Sequence, residues 1–319
     1  MIFFIYIVLV FLVLRFSVTL FNFVSNPKMG NYGRSFNNKV LIIIKVQKEK
    51  KEAEKLLASI AAQDYKNYKV LIQKLDAPDV TANAEADYLL FLEPNTIIEK
   101  KFINSLVYRS SVFKLAMLSV IPTARISGFL GNCIYPLNDF VLLNLFPLRL
   151  VRLIDHPAFA MANNSCMFFD ADSYREYEWD FSFNARSQSA LEMMKIVKQD
   201  KLKTDLLLGN KLIYLEEPRL DISGISKQLM LNFSNQPLIA LGYLILVIAG
   251  PVAMALTVSP VFLLLPYGLI FLSRLMVAYL SAQRPFPGIL YHPLQMLGLT
   301  YLLLNNSWKR FCAVLKPKK

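Results

Sequence analysis

Polar side chains that could bind a cation stand directly after an apolar run in the first third of the chain. The run Tyr88 to Leu92 (YLLFL) is followed by Glu93, Pro94 and Asn95. Carboxylate and amide oxygens are the ligands that hard divalent cations choose, so Glu93 and Asn95 are candidate metal ligands. An ordinary exposed carboxylate ahead of a proline turn explains the same residues equally well.

Two further segments carry candidate polar groups. Glu192 lies in LEMMKIVKQ, which has the pattern of a helix, and a solvated helical glutamate is the commoner case. Asn163 and Asn164 lie in MANNSC, where turn formation is the simpler interpretation. The chain has only two histidines, and its three cysteines are far apart with no Cys-x-x-Cys pair. This composition indicates neither a structural zinc site nor a disulfide framework.

The segments around Glu93 have the pattern of an α/β domain. Val40 to Val46 (VLIIIKV) is an unbroken apolar run, typical of a strand that is buried on both faces. A charged, helix-forming segment at 48–63, a strand at 68–73 and a strand at 88–92 follow it. This order predicts a mostly parallel sheet, and ligands of such sheets bind outside the carboxyl ends of the strands.

The apolar residues, 55% of the chain, are concentrated at its two ends, and the mean hydropathy is +0.40. Residues 1–24 contain one charge, Arg15, and residues 236–282 contain one, Arg274. Because about 20 apolar residues cross a bilayer, these segments predict an N-terminal anchor and a helical hairpin that turns near residues 258–260.

The net charge of +12 is divided unevenly along the chain. Residues 25–235 contain all 23 acidic residues together with 27 basic ones, whereas residues 236–319 contain seven basic residues and no acidic one. Residues 25–235 are therefore the predicted soluble domain, which the positive-inside rule assigns to the cytoplasm. For residues 283–319 we expect an interfacial or re-entrant helix with a basic tail, the alternative being a further span. No basic and aromatic array of the nucleic-acid-binding type is present.

Several segments together resemble a known family. They are VLIIIKVQKEKKEAEKLLASIAAQDYKNYKVLI, ADYLLFLEPNTIIEKKFINSLV, MANNSCMFFDADSYREY, SALEMMKIVKQDKLKTDLLLGNKLIYL and RPFPGILYHPLQMLGLTYLLLNNSWKRF. Their pattern is similar to that of glycosyltransferase family 2, in its bacterial, membrane-anchored form. The resemblance implies a GT-A fold: an α/β domain with a mostly parallel sheet, here between N-terminal and C-terminal transmembrane helices. It also implies a location in the bacterial inner (cytoplasmic) membrane.

The resemblance further implies a reaction and a set of roles. Members transfer a sugar from a nucleotide sugar to an acceptor hydroxyl, with Mg²⁺ or Mn²⁺ at the diphosphate and a carboxylate as base. The acceptor expected here is lipid-linked or amphiphilic. By position, the implied roles fall on Glu93 and Asn95 (metal), Glu49 and Asp79 (donor), Asn163 and Asn164 (acceptor side), and Glu192 (base).

The chain departs from the family pattern at sites that serve one function. The Asp-x-Asp position reads Glu93, Pro94 and Asn95, so one negative charge is lost, and the acidic pair after the second strand is replaced by Lys74 and Leu75. Lys48 stands in the first Asn-Glu pair, and Met193 stands where the base is expected. Only 14 residues, 74–87, connect the second and third strands, where the family has additional elements. These changes predict a weakened donor site.

Two functions remain open. One is a membrane-anchored glycosyltransferase; the other is an inactive relative that serves as a scaffold or regulatory subunit of a membrane enzyme. A transporter is disfavoured, because the apolar segments contain no acidic residue and Arg15 and Arg274 are expected to be peripheral. The predicted organisation is an anchor (1–24), a GT-A-like domain (25–235), a membrane hairpin (236–282) and an interfacial segment (283–319).

Overall fold

The computed structural model describes residues 2–46, 50–74, 85–177, 190–216 and 222–315. The chain forms two compact units, each built from separate stretches. The sheet unit comprises Asn26–Arg125 and Leu148–Glu216. The helical unit comprises Met1–Ser25, Ile126–Pro147 and Glu217–Lys319. The soluble domain is predicted at 25–235 from the distribution of charged residues, whereas these two units are defined by contacts between residues. The two divisions measure different properties, so the domain limits at 24, 235 and 282 remain predictions.

The strands of the sheet unit are β1 (Val40–Val46), β2 (Tyr68–Lys74), β3 (Tyr88–Leu92), β4 (Thr96–Ile98), β5 (Met117–Ile121), β6 (Thr123–Ala124), β7 (Cys166–Asp170), β8 (Thr204–Leu208) and β9 (Ile213–Leu215). Within the described residues, six of them form a sheet in the order β2-β1-β3-β7-β5-β8. Within that sheet β7 runs antiparallel to both of its neighbours, and the other pairings are parallel. A smaller sheet has the order β4-β9-β6.

The helices, numbered along the chain, are α1 (Ile2–Ser25), α2 (Glu54–Ala61), α3 (Phe102–Phe113), α4 (Gly128–Ile134), α5 (Pro136–Leu145), α6 (Leu150–Leu153), α7 (Ala171–Glu176), α8 (Ala190–Gln199), α9 (Ile222–Leu231), α10 (Pro237–Leu244), α11 (Gly250–Thr257), α12 (Pro260–Leu280), α13 (Pro285–Leu290) and α14 (His292–Leu315). A π-helical turn, Ile245–Ala249, joins α10 to α11. Short 3-10 helices lie at Lys50–Ala53 and Pro157–Phe159.

The core of the sheet unit follows from the apolar runs of the sequence. All five residues of β3 are buried, and six of the seven residues of β1 are buried. Phe102 of α3 and Phe168 of β7 are fully buried in the same cluster. Burying a side chain of this size contributes about 1.5–3 kcal/mol, so these side chains hold α3 and β7 to the central strands.

Among the described residues of the helical unit, three helices are long and apolar enough to cross a membrane: Ile2–Ser25, Pro237–Thr257 and Pro260–Leu280. A close contact joins two of them. A Cβ at Gly250 would lie 2.6 Å from Cγ1 of Val8, so only glycine permits this approach of α11 to α1. Small residues at such contacts are typical of helices packed in a bilayer.

The predicted mixed α/β fold, with a mostly parallel sheet and terminal apolar helices, is confirmed. β1 and β3 have the predicted bounds, and β2 ends one residue later than predicted. The hairpin turns at residues 258–259, as predicted. One expectation is wrong: Arg15 and Arg274 are not peripheral, since they are 6% and 4% exposed within the helical unit.

A buried ion pair joins α3 to β8 in the sheet unit. Nε and Nη2 of Arg109 donate to Oδ2 of Asp205 at 2.9 and 2.7 Å, and Asp205 is fully buried. Nε of Arg152 in α6 lies 3.7 Å from the same oxygen. The ring of Phe113 lies 4.1 Å from the Arg109 guanidinium and 4.0 Å from that of Arg152. One carboxylate therefore compensates positive charge on two helices.

We expect Asp205→Asn to lower the free energy of unfolding by about 3–5 kcal/mol, because it leaves buried guanidinium groups without their counter-charge. Thermal unfolding of the full chain in detergent measures the change. The matched control is Asp172→Asn, since Asp172 is 90% exposed in its pair with Arg175. An exposed pair contributes no more than about 1 kcal/mol. Equal losses in the two variants would contradict a structural role for the Asp205 carboxylate.

Candidate functional site

Glu93, Asn163 and Asn164, three of the predicted site residues, lie where the direction of the main sheet reverses. Leu92, the last residue of β3, lies opposite Cys166, the first residue of β7. Because these strands are antiparallel, the segment that leaves β3 lies beside the segment that enters β7. Ligands of α/β sheets bind outside the carboxyl ends of the strands, at points where the strand order changes.

Glu93 is fixed at this edge by two hydrogen bonds to one residue. Its backbone N–H donates to the carbonyl oxygen of Ser165 at 3.1 Å, and the Ser165 hydroxyl donates to Oε2 of Glu93 at 2.7 Å. Burial raises the pKa of the Glu93 carboxyl, and the hydrogen bond from Ser165 lowers it in part. The interpretation of Glu93 as an ordinary exposed carboxylate is therefore wrong, because the side chain is half-buried and held in place.

A turn after Glu93 places Asn95. The backbone N–H and the hydroxyl of Thr96 both donate to the carbonyl oxygen of Glu93, at 3.1 and 2.7 Å. Proline at the second position of such a turn sets the backbone angle that the turn needs. The carbonyl oxygen of Asn95 accepts from the N–H of Glu216 at 2.9 Å, which ties the turn to the end of β9.

Asn163 is a turn former that also belongs to a network. Its Oδ1 accepts from the backbone N–H of Ser165 at 2.9 Å, and its own N–H donates to the Ser119 hydroxyl at 2.8 Å. Ser119 is a fully buried serine within the apolar strand β5. The sequence analysis missed Ser119. Its signal is a hydroxyl inside a buried run, since such a group needs a hydrogen-bond partner.

Asn164 connects this edge to α8. Its Oδ1 accepts from the backbone N–H of Ala190, the first residue of α8, at 2.7 Å. The first N–H groups of a helix have no partner within the helix, so this contact holds the helix start in place. Glu192 lies in that first turn and is exposed, whereas Met193 is fully buried. The two positions of the expected Glu-Asp pair therefore face different environments.

The residues present offer a small set of metal ligands. Within the described parts of the chain, no three or more His, Cys, Asp or Glu side chains are grouped in a way that could hold a metal ion. Glu93 and Asn95 supply one carboxylate and one amide from the same turn. Such a pair fits a cation that takes its other ligands from a diphosphate and water, as Mg²⁺ often does.

Of the remaining residues singled out by the sequence on the donor side, the structure describes only Lys74. Lys74, where the family has an acid, is the exposed last residue of β2. The predicted donor residues Glu49 and Asp79 lie outside the described residues, as do Lys48 and Leu75. Their predicted roles are neither supported nor opposed.

Comparison with protein-family models gives no match, and neither does comparison with curated proteins. The fold is similar to a mannosyltransferase, PcManGT from Pyrobaculum calidifontis in complex with GDP-Man and Mn²⁺, at a TM-score of 0.47 and 12% identity over 96% of this chain and 99% of that one. It is also similar to residues 1–349 of TarS from S. aureus in complex with UDP, at a TM-score of 0.40 and 11% identity over 85% and 91% of the two chains. Likenesses this low decide nothing about activity.

We expect Ser165→Ala to raise the pKa of Glu93 further, because the carboxylate loses the hydroxyl that stabilises its charged form. Carboxyl ¹³C NMR of glutamate-labelled protein measures the titration, and Glu93→Gln assigns the signal. Ser165→Thr keeps a hydroxyl and serves as the control. An unchanged pKa in Ser165→Ala would show that the hydrogen bond does not form in solution.

We expect Met193→Asp to destabilise the chain by more than about 3 kcal/mol, because it buries a charge without a partner. Met193→Leu, which conserves volume and polarity, should cost less than about 1.5 kcal/mol. Thermal unfolding in detergent compares the two. If Met193→Asp is as stable as Met193→Leu, the side chain at this position reaches water and the position is open to a base.

Proposed function

We propose that this chain is a membrane-anchored glycosyltransferase of the GT-A type that transfers a sugar from a nucleotide sugar to a lipid-linked or amphiphilic acceptor. The observation that carries the proposal is Glu93. It is a half-buried carboxylate, held by Ser165, at the carboxyl end of β3 where β3 meets the antiparallel strand β7. A fixed carboxylate at this point of an α/β sheet suits the binding of a cation and a diphosphate.

In this proposal the described residues have distinct roles. Glu93 and Asn95 would hold Mg²⁺ or Mn²⁺, and such a cation would supply positive charge to neutralise the donor diphosphate. Glu192 accepts the proton of the acceptor hydroxyl. The hydroxyl oxygen then bonds to the anomeric carbon of the donor sugar as the bond between that carbon and the diphosphate breaks. Asn163 and Asn164 shape the acceptor side. Glu49 and Asp79 remain proposed donor contacts.

The apolar helices support an acceptor of the amphiphilic class. Three helices have the length and composition of membrane spans, so the protein and an amphiphile are confined to the same bilayer. Lys28, Arg34, Lys227 and Arg284 flank the apolar segments. By the positive-inside rule we place the sheet unit on the cytoplasmic side of a bacterial inner membrane.

A specific observation favours a second function, an inactive relative that serves as a scaffold or regulatory subunit of a membrane enzyme. Met193 stands where the resemblance expects the base, and it is fully buried. A thioether cannot accept a proton, so catalysis depends on the neighbouring Glu192 alone. The single carboxylate at the metal position points in the same direction.

Donor binding separates the two functions. Full-length protein in nanodiscs is titrated with UDP-sugars and GDP-sugars in the presence of Mn²⁺, by isothermal calorimetry. For the transferase we expect micromolar binding that Glu93→Ala weakens at least tenfold, because the cation loses its only carboxylate ligand among the described residues of the site. The matched control is Glu176→Gln, a change at an exposed helix end, which should bind as the wild type does.

A substitution at Glu192 then tests whether this side chain is the base in sugar transfer. We expect Glu192→Gln to abolish sugar transfer while the donor dissociation constant stays the same, since the amide keeps the shape of the side chain but cannot take a proton. Absence of donor binding in the wild type would overturn the transferase and leave the scaffold. Donor binding that survives Glu93→Ala would overturn the assigned site but not the reaction.

A further inference from the structure

Two arginines are buried among the helices of the helical unit. Arg15 lies in α1 and Arg274 in α12, and their exposed fractions are 6% and 4%. Both helices have the length and composition of membrane spans. A charged side chain in such a helix is costly and rare, and it marks a functional site by default.

Aromatic rings compensate part of this charge. The guanidinium of Arg274 lies 3.4 Å from the centre of the Phe140 ring, and that of Arg15 lies 5.1 Å from it. Arg15 also lies within 5.6 Å of Phe11 and 5.3 Å of Tyr243. A desolvated cation–π contact stabilises a buried cation by less than the loss of its hydration costs. The rings therefore offset only a part of the cost.

No carboxylate in the described part of the helical unit pairs with either arginine. Asp139 is the only acidic residue among those described, and its Oδ2 accepts from Nε2 of Gln283 at 2.9 Å. Nη2 of Arg15 donates to Oδ1 of Asn144 at 3.3 Å. Nε of Arg15 and Nη2 of Arg274 are buried without a hydrogen-bond partner. Among the described residues, two positive charges thus have no acidic partner and two donors have no acceptor.

A histidine adds a further donor. Nε of Arg274 donates to Nδ1 of His292 at 2.8 Å. Because an arginine always carries its protons, Nδ1 of His292 is the acceptor and the imidazole proton is on Nε2. His292 is therefore held as a neutral ring whose remaining ring nitrogen is a donor, beside a fixed positive charge.

Arg15 and His292 line one small cavity, and Arg274 lies beside it through its hydrogen bond to His292. The polar lining of the cavity is Arg15, Asn144, Ser273 and His292, and the rest of the lining is apolar. Its volume is about 10 Å³, the room that one water-sized group requires. A cavity of this size has room for a single oxygen atom of a larger anion.

We propose that this cavity binds one oxygen of a phosphate monoester. A phosphate monoester carries a charge of about −1.5 to −2, which matches two guanidinium groups, whereas a carboxylate would leave one of them unmatched. The planar guanidinium also suits phosphate geometry. The phosphate is either the head group of an amphiphile or free in solution, and the apolar lining and span-length helices favour the amphiphile. The inference is independent of sugar transfer.

The test measures binding rather than activity. Full-length protein in detergent is heated with phosphatidic acid, with diacylglycerol of the same acyl chains, or with inorganic phosphate, and the melting temperature is followed. Phosphatidic acid should raise it and diacylglycerol should not. A rise with inorganic phosphate alone would keep the phosphate site and assign it a soluble source. No rise with either phosphate would overturn the proposal.

Variants locate the site. Arg15→Met and Arg274→Met keep side-chain length without charge, and we expect each to weaken phosphatidic acid binding at least tenfold. Arg284→Met removes a charge from an exposed position in the same unit and should bind as the wild type does. Without ligand, the buried variants should melt no lower than the wild type, because an uncompensated buried charge has been removed.

A second kind of variant tests the cavity without changing any charge, in case the arginine variants fail to fold. Ser273→Val fills the cavity with two methyl groups, and phosphatidic acid should bind it more weakly too. Binding that is equal in the wild type, Ser273→Val and the arginine variants would show that the lipid associates elsewhere.

Discussion

The pairing of β3 with the antiparallel strand β7 is the constraint on which the candidate site depends. Two aromatic contacts fix its register: Tyr88 stacks on Phe168 with ring centres 5.0 Å apart, and Phe91 meets Phe169 edge to face at 5.8 Å. Cross-strand aromatic pairs of this kind stabilise one register over its neighbours. A slip of one residue would turn every side chain to the other face and separate Glu93 from Ser165. The position of the carboxylate is therefore a consequence of core packing.

Several strands of the sheet unit can be predicted from the sequence, for a physical reason. Strands buried on both faces, such as β1 and β3, must be apolar throughout, and an unbroken apolar run is a local signal. The antiparallel direction of β7 has no local signal, because it depends on which strand the chain meets in space. For the same reason the sequence singled out Glu93 but not Ser165 or Ser119, whose hydroxyls acquire their roles from residues distant in the chain.

The sequence predicts where the apolar membrane segments begin and end, but not which of their side chains are buried against other helices. Hydropathy locates α1 and the hairpin because apolar length is a property of each segment alone. Whether a charge within such a segment faces outward depends on its neighbours. Arg15 is buried because the ring of Phe140 and the amide of Asn144, both on α5, pack against it. Because α5 is distant from α1 in the sequence, a prediction made for each segment alone places Arg15 at the surface.

The two units treat buried charge in opposite ways. In the sheet unit Arg109 is matched by Asp205, whose carboxylate accepts from Nε and Nη2 of Arg109. In the helical unit Arg15 and Arg274 have aromatic rings and a neutral imidazole but no described acidic partner. A fold that needed only rigidity would be served equally well by apolar side chains of similar size, which are often more stabilising than buried ions. Arg15 lines a cavity and Arg274 lies beside it, and the cost of burying both cations is one that the anion proposed for this cavity would offset.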